Sequence, residues 1–234
     1  MSRRMVILTE GHSNPHTAKT ASCLLRYCPS EVVAVLDSTN QGLTTDQLLQ
    51  VGGNTPVVGS LSDAGEANML LIGIAPPGGK IPDTWRTIIL EAIRRGMKVV
   101  SGLHDHLADD PEFVAEAEKY GVQLVDVRRN QQREIARRIG LREQCLRILT
   151  VGHDCSVGKM VTSVELTMAL KQRHHDAKFV ATGQTGIMVE GDGCAIDSVV
   201  ADFISGAAEK LVLDNQHHDI LIIEGQGSII HPSY

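Results

Sequence analysis

The sequence has few aromatic residues and no excess of positive charge. Its 234 residues include one Trp, three Tyr and three Phe, and the formal net charge at pH 7 is -6. Proteins that bind nucleic acids use basic surfaces to contact phosphates and aromatic rings to stack on bases. The composition therefore argues against a nucleic-acid partner.

Long apolar runs and paired cysteines are also missing. The longest apolar runs, residues 69–75 and 220–223, are far shorter than the roughly 20 residues of a transmembrane helix. The N-terminal run, residues 5–8, is too short for the core of a signal peptide. The five cysteines are scattered without a CxxC spacing, which argues against a disulfide framework or a zinc site. We expect a cytoplasmic protein with reduced thiols and no membrane partner.

Residues 1–129 alternate short β-branched runs with helical patterns, the order typical of a parallel sheet with helices on both faces. Asn14-Pro15 and Asp110-Pro111 are helix start signals, and Gly121 lies where the second of these helices should end. The pattern predicts an α/β, Rossmann-like domain with one six-stranded sheet. The predicted strands are residues 6–9, 32–37, 56–59, 69–74, 99–101 and 123–127.

The pattern changes after residue 129. Residues 130–145 are polar and predict a linker helix between two domains. Residues 146–234 predict a second α/β domain, with strands at 147–151, 179–181 and 220–223. Three strands are few for such a domain. We therefore expect it to be incomplete at its C-terminus, or to have its open edge covered by another subunit of a homo-oligomer.

The strongest functional pattern is a glycine-flanked loop between the first strand and the first helix of the second domain. Backbone N–H groups of such a loop converge on an anion, and its lysine adds a positive charge. The loop departs from the usual GxxxxGK[ST] pattern, because it has one extra residue between the glycines and has Met160 where a hydroxyl normally holds magnesium. The residues expected to bind the cofactor are Gly152, Cys155, Ser156, Val157, Gly158, Lys159 and Met160.

This loop, GHDCSVGK, resembles the variant phosphate loop GxDxxVGK of dethiobiotin synthetase and its relatives. A later strand ends in Glu224-Gly225-Gln226-Gly227, which is similar to the acidic residue and Gly-x-Gly that end a strand in those enzymes. There the acid helps to hold magnesium. The resemblance implies a metal-binding or catalytic role for Glu224.

The whole chain resembles more closely a family first catalogued as a domain of unknown function, whose DgcN-type members are D-glutamate N-acetyltransferases. The resemblance implies a Rossmann-like N-terminal domain, a phosphate-loop C-terminal domain and chains that continue past Tyr234. It also implies transfer of acetyl from acetyl-CoA to the amino group of an acidic amino acid, D-glutamate. Besides the two motifs above, the matching stretches are residues 15–21, 73–80, 101–104, 125–128, 182–186 and 201–203.

In acetyl transfer the phosphate loop would bind the donor without hydrolysing it, since coenzyme A carries a pyrophosphate and a 3′-phosphate. Attack of an amine on a thioester needs a base and hydrogen-bond donors for the oxyanion. His153, Asp154 and Glu224 are the candidate bases, and the sequence does not choose among them. Gln184, with backbone N–H groups of residues 183–186, is the candidate oxyanion donor.

The acceptor is expected to be a small anionic molecule bound between the two domains. The glycine-rich loop at residues 73–79 follows a strand end, where open α/β sheets bind ligands. Cations near this loop would pair with the acceptor's carboxylates. The candidate acceptor-binding residues are Lys19, Gly78, Gly79, Lys80 and Arg128.

Two alternatives use the same loop. One is a ligase or kinase-like enzyme of the dethiobiotin synthetase type, with ATP and magnesium as cofactors; the other is a non-catalytic nucleotide sensor. Met160 argues against a bound magnesium ion, although Thr162 and Ser163 are near enough in sequence to reach one. We expect no resident metal, and an acetyl transfer that survives EDTA.

Overall fold

In the computed structural model, which describes residues 2–74 and 79–229, the chain divides into two units between Asp126 and Val127. Each unit is built on its own parallel β-sheet. Gly78, one of the predicted acceptor-binding residues, lies outside the described residues.

The sheet of the first unit has six parallel strands in the order β3-β2-β1-β4-β5-β6, which confirms the predicted Rossmann-like sheet. The central strand β1 is apolar and fully buried, as expected for a parallel sheet covered on both faces. It pairs with β2 on one side and β4 on the other, so the strand order reverses between β1 and β4. The strands are β1 (Met5–Leu8), β2 (Val32–Leu36), β3 (Val57–Val58), β4 (Met69–Ile72), β5 (Lys98–Ser101) and β6 (Leu124–Asp126).

The helices of the first unit follow local sequence signals with one exception. Helix α4 begins after Asp110, whose side chain accepts two backbone N–H groups of the first turn, and it ends at Gly121 with φ +65°. Asn14 caps a turn in the same way, but α1 begins only at Lys19. The helices are α1 (Lys19–Tyr27), α2 (Thr45–Leu49), α3 (Arg86–Arg94) and α4 (Pro111–Tyr120).

The second unit has a three-stranded parallel sheet in the order β7-β9-β8. Leu221 and Ile222 on the central strand are fully buried, whereas Leu146 and Leu149 on the edge strand β7 are each more than half exposed. Within the described part of the chain, no helix is both long and apolar enough to span a membrane. The elements are β7 (Leu146–Leu149), α5 (Lys159–Gln172), β8 (Ala177–Val180), α6 (Gln184–Glu190), α7 (Ile204–Asn215) and β9 (Ile220–Ile223).

The predicted linker helix at residues 130–145 is wrong. The segment contains no helical residue and belongs to the second unit. The backbone N–H groups of Arg137 and Arg138 donate to the carboxylate of Glu209 on α7, at 2.7 and 2.5 Å. The backbone carbonyl of Glu134 also packs against Gly206 on α7, so closely that a Cβ atom on Gly206 would lie 1.8 Å from its oxygen. Hydrogen bonds to α7 therefore replace those that a helix would make internally.

Candidate functional site

The loop between β7 and α5 has the strand–loop–helix geometry of a phosphate site. Gly158, with φ +98°, immediately precedes the 14-residue helix α5. Glycine adopts this left-handed conformation without steric cost, so the loop turns directly into the helix. A Cβ atom on Gly152 would lie only 2.7 Å from Val157 Cγ2, so glycine there lets the Val157 side chain pack against the backbone of the loop. The first backbone N–H groups of α5 have no partner inside the helix and are available to an anion.

Lys159 lies at the start of α5 and folds back over the loop. Its ammonium group donates to the backbone carbonyls of Asp154 and Gly227, the latter at 3.2 Å. Asp154 Oδ1 in turn accepts the Cys155 N–H at 2.7 Å and the hydroxyl of Ser228. The loop is thereby hydrogen bonded to the segment that follows β9.

The other predicted loop residues line the turn itself. His153, Ser156 and Val157 are exposed, whereas Cys155 and Met160 are half-buried. Ser156 has φ +57°, an unusual value for a residue other than glycine. The His153 backbone carbonyl accepts the Ile229 N–H at 3.2 Å, and the residue is exposed.

Glu224 directly follows β9 and is only 7% exposed. Its Oε2 atom accepts the backbone N–H groups of Thr182 and Gly183 at 2.9 and 3.0 Å. A Cβ atom on Gly186 would lie 2.5 Å from the same oxygen, so glycine there makes room for the carboxylate. Burial raises the pKa of the Glu224 carboxyl above its ordinary value, although these hydrogen bonds oppose the shift. The carboxylate holds the turn that begins α6.

Gln184 is the first residue of α6 and is half-buried. The neighbouring Gly183 N–H, which we expected among the oxyanion donors, already donates to Glu224. The Gln184 side-chain amide is therefore the better candidate donor in this turn.

Three of the predicted acceptor-binding residues lie in the first unit. Lys19 at the start of α1 and Lys80 are exposed. Gly79 has φ +63° and is buried, and its carbonyl accepts the N–H of His104 at 2.9 Å. This contact joins the segment after β4 to the segment after β5 at the carboxyl ends of neighbouring strands.

Arg128 belongs to the second unit, where its guanidinium forms an ion pair with Asp197 and is only 11% exposed. The two candidate metal-binding hydroxyls differ in accessibility, since Ser163 is fully buried and Thr162 is exposed. Across residues 2–74 and 79–229, no three or more His, Cys, Asp or Glu side chains are grouped so as to hold a metal ion.

Sequence reasoning missed the hydroxyl groups that support the loop and the turn. Thr182 lies two residues after β8, and its hydroxyl donates to the Glu224 carbonyl at 2.7 Å. Thr150 directly follows β7 and its hydroxyl lies 2.8 Å from that of Ser163. A polar residue at the carboxyl end of an apolar strand is a pattern that would have found both threonines. Ser228 follows no such pattern.

Two family models match the chain. Residues 38–130 match the family described as "Domain of unknown function (DUF1611_N) Rossmann-like domain". Residues 128–234 match "Domain of unknown function (DUF1611_C) P-loop domain". A crystal structure of a DUF1611 family protein from Anabaena variabilis ATCC 29413 is similar over 99% of this chain and 68% of that chain, with 40% sequence identity and a TM-score of 0.90.

Two curated relatives are named D-glutamate N-acetyltransferase. The protein from Pseudoalteromonas sp. is 47% identical over 168 residues, which is 72% of this chain and 50% of the relative. The protein from Tritonibacter scottomollicae is 44% identical over 172 residues, or 73% of this chain and 51% of the relative. The chain thus spans about half the length of each.

Proposed function

The chain belongs to the DUF1611 family, and on that basis we propose that it is an N-acetyltransferase whose second unit binds acetyl-CoA at the loop between β7 and α5. The proposed acceptor is an acidic amino acid, D-glutamate, because that is the substrate in the names of the two relatives. The names speak for those proteins and name no acyl donor; the geometry of the loop supports a donor that carries phosphate groups.

The observation that carries the proposal is the environment of Lys159. Its ammonium group lies over a glycine-flanked loop at the start of a long helix, and its two hydrogen bonds are to neutral carbonyl oxygens. A phosphate oxygen is a stronger partner for an ammonium group than a carbonyl oxygen, since the hydrogen bond is then charge-assisted on both sides. The pyrophosphate of coenzyme A therefore fits this loop, with the N–H groups of the helix start as further donors.

In the proposed reaction the acceptor amine attacks the thioester carbonyl. A C–N bond forms, the C–S bond breaks, a proton leaves the amine and the thiolate of coenzyme A takes up a proton. We assign the base to His153, because its imidazole is exposed beside the phosphate loop and histidine is the most common general base. The carboxylates of Asp154 and Glu224 already accept hydrogen bonds that hold the loop and the turn. Gln184 is the proposed oxyanion donor.

The acceptor carboxylates require cations, and Lys19 and Lys80 supply exposed ammonium groups in the first unit. Gly78 and Gly79 belong to the same proposed acceptor loop. Arg128 is a weaker candidate than the two lysines, because binding a substrate carboxylate would compete with its ion pair to Asp197.

The test is an assay of thiol release from acetyl-CoA. We expect release with D-glutamate, less with L-glutamate, and no loss of rate when EDTA is added, since the proposed mechanism uses no metal. A parallel reaction with ATP and magnesium measures phosphate. Product formation that depends on ATP and releases phosphate would contradict the proposal and support a ligase.

A further inference from the structure

Thr150 joins three parts of the second unit at the base of the phosphate loop. It directly follows β7, and its side chain is buried. Its Oγ1 atom lies 2.8 Å from Ser163 Oγ and 3.2 Å from the carbonyl of Lys159, both in the first turns of α5. The same oxygen accepts the backbone N–H of Gly225, after β9, at 3.2 Å.

The Thr150 hydroxyl can make these hydrogen bonds with its one proton and two lone pairs. A threonine hydroxyl has one proton to donate and two lone pairs that accept. Ser163 Oγ lies 3.1 Å from the Lys159 carbonyl and can donate to it. Thr150 then donates to Ser163 and accepts from Gly225. In the other arrangement Thr150 donates to Lys159 and accepts from Ser163 and Gly225. Every polar group in the cluster has a partner in both arrangements.

The cluster closes the two ends of the loop on each other. The chain leaves β7 at Thr150 and re-enters regular structure at Lys159, and the Thr150 hydroxyl is linked to the Lys159 carbonyl either directly or through Ser163 Oγ. Gly225 approaches so closely that a Cβ atom there would collide with the Thr150 carbonyl oxygen. The position of the Lys159 backbone, and hence the origin of its ammonium group, therefore depends on the Thr150 hydroxyl.

We infer that Thr150 is a positioning residue of the phosphate loop, whose hydroxyl holds the start of α5 and the segment after β9 in the arrangement that receives the phosphates. The effect on the acyl donor rests on the proposed function. The effect on the loop itself does not.

The test compares three variants of the whole chain. Thr150→Val removes the hydroxyl but keeps the shape, and Thr150→Ser keeps the hydroxyl. Thr167→Val is the matched control, since Thr167 is also buried and donates to the Ser163 carbonyl, one turn further from the loop. The measurements are amide hydrogen exchange at Gly225 and Ser163, the Kd for coenzyme A, and the KM values for acetyl-CoA and D-glutamate.

We expect Thr150→Val to speed exchange at Gly225 and to weaken coenzyme A binding, each by about tenfold, because buried groups lose their partner. The KM for acetyl-CoA should rise while that for D-glutamate stays the same. Thr150→Ser should restore both properties, and Thr167→Val should change neither.

The inference is overturned if Thr150→Val has the wild-type rate of amide exchange at Gly225 and the wild-type Kd for coenzyme A. It is also overturned if Thr167→Val changes both quantities as much as Thr150→Val does. Should Thr150→Val fail to fold, Ser163→Ala removes one hydrogen bond of the cluster from the helix side, and it is judged by the Kd for coenzyme A, because the Gly225 N–H keeps its Thr150 partner in that variant. If the wild type binds no coenzyme A, the proposed function fails, and the exchange at Gly225 still decides the role of Thr150.

Discussion

Glu224 is a carboxylate that the fold removes from water and surrounds with backbone donors. From the sequence it is one of three candidate bases, and its resemblance to the strand-end acid of dethiobiotin synthetase implies a metal-binding or catalytic role. In the structure its Oε2 atom accepts the Thr182 and Gly183 N–H groups, which stabilises the turn carrying Gln184. We propose that the Glu224 carboxylate acts through the turn that it supports.

Substitution of Glu224 separates the two roles. A glutamine keeps an oxygen that accepts both N–H groups, whereas alanine leaves the buried Thr182 N–H and the half-buried Gly183 N–H without this partner, at about 1–3 kcal/mol. We expect Glu224→Gln to retain most of the acetyl transfer and Glu224→Ala to lose it, as measured by thiol release and by the free energy of unfolding. If Glu224→Gln is as inactive as Glu224→Ala, while remaining as stable as the wild type, then Glu224 is the base.

Helix α4 shows which elements local sequence determines. Asp110 accepts the N–H groups of Glu112 and Phe113 at 2.9 and 3.2 Å, and also forms a two-pronged ion pair with Arg86. The hydrogen bonds from Arg86 lower the pKa of Asp110 to about 2. Since the folded carboxyl holds its proton less tightly than the unfolded one, its contribution to stability is present above about pH 4 and is lost as the pH falls towards 2.

We expect Asp110→Ala to lower the free energy of unfolding by about 1–2 kcal/mol near neutral pH, and Asp110→Asn to lower it less because asparagine also caps helices. The deficit of both variants should shrink as the pH falls below about 4. Trp85, the single tryptophan, is buried in the first unit and reports its unfolding by fluorescence in urea. Equal losses for the two variants, or a deficit that does not change with pH, would contradict this account.

Elements that depend on distant partners were not predictable from local patterns. Residues 130–145 have good helix formers, but the N–H groups of Arg137 and Arg138 bond Glu209, about seventy positions further along the chain. Arg128 is a candidate acceptor-binding cation in the sequence, and its ion-pair partner Asp197 is equally remote. The predicted linker helix is wrong because tertiary contacts outweigh helix propensities of a few tenths of a kcal/mol per residue.

At the scale of the molecule, the alternation of strands and helices was enough to predict both sheets, because parallel strands need crossover helices between them. The phosphate loop was also predictable, since its glycines and lysine must occur together. The strand-end pattern marks Thr150 and Thr182 as candidates, but a threonine has many ordinary roles in a sequence. The positions of Ser163, Gly225 and Glu224 around them reveal what they hold.

The central claim is that the loop between β7 and α5 holds the phosphates of the acyl donor, and titration of coenzyme A into the whole chain tests it most directly. Lys159→Ala is compared with Lys171→Ala, which removes an exposed lysine from the last turn of the same helix. We expect the wild type to bind coenzyme A with a Kd of about 1 μM or lower. Lys159→Ala should raise this Kd about tenfold or more, because it removes a charge-assisted hydrogen bond. Lys171→Ala should leave the Kd unchanged. Equal affinities for the wild type and Lys159→Ala would contradict the account.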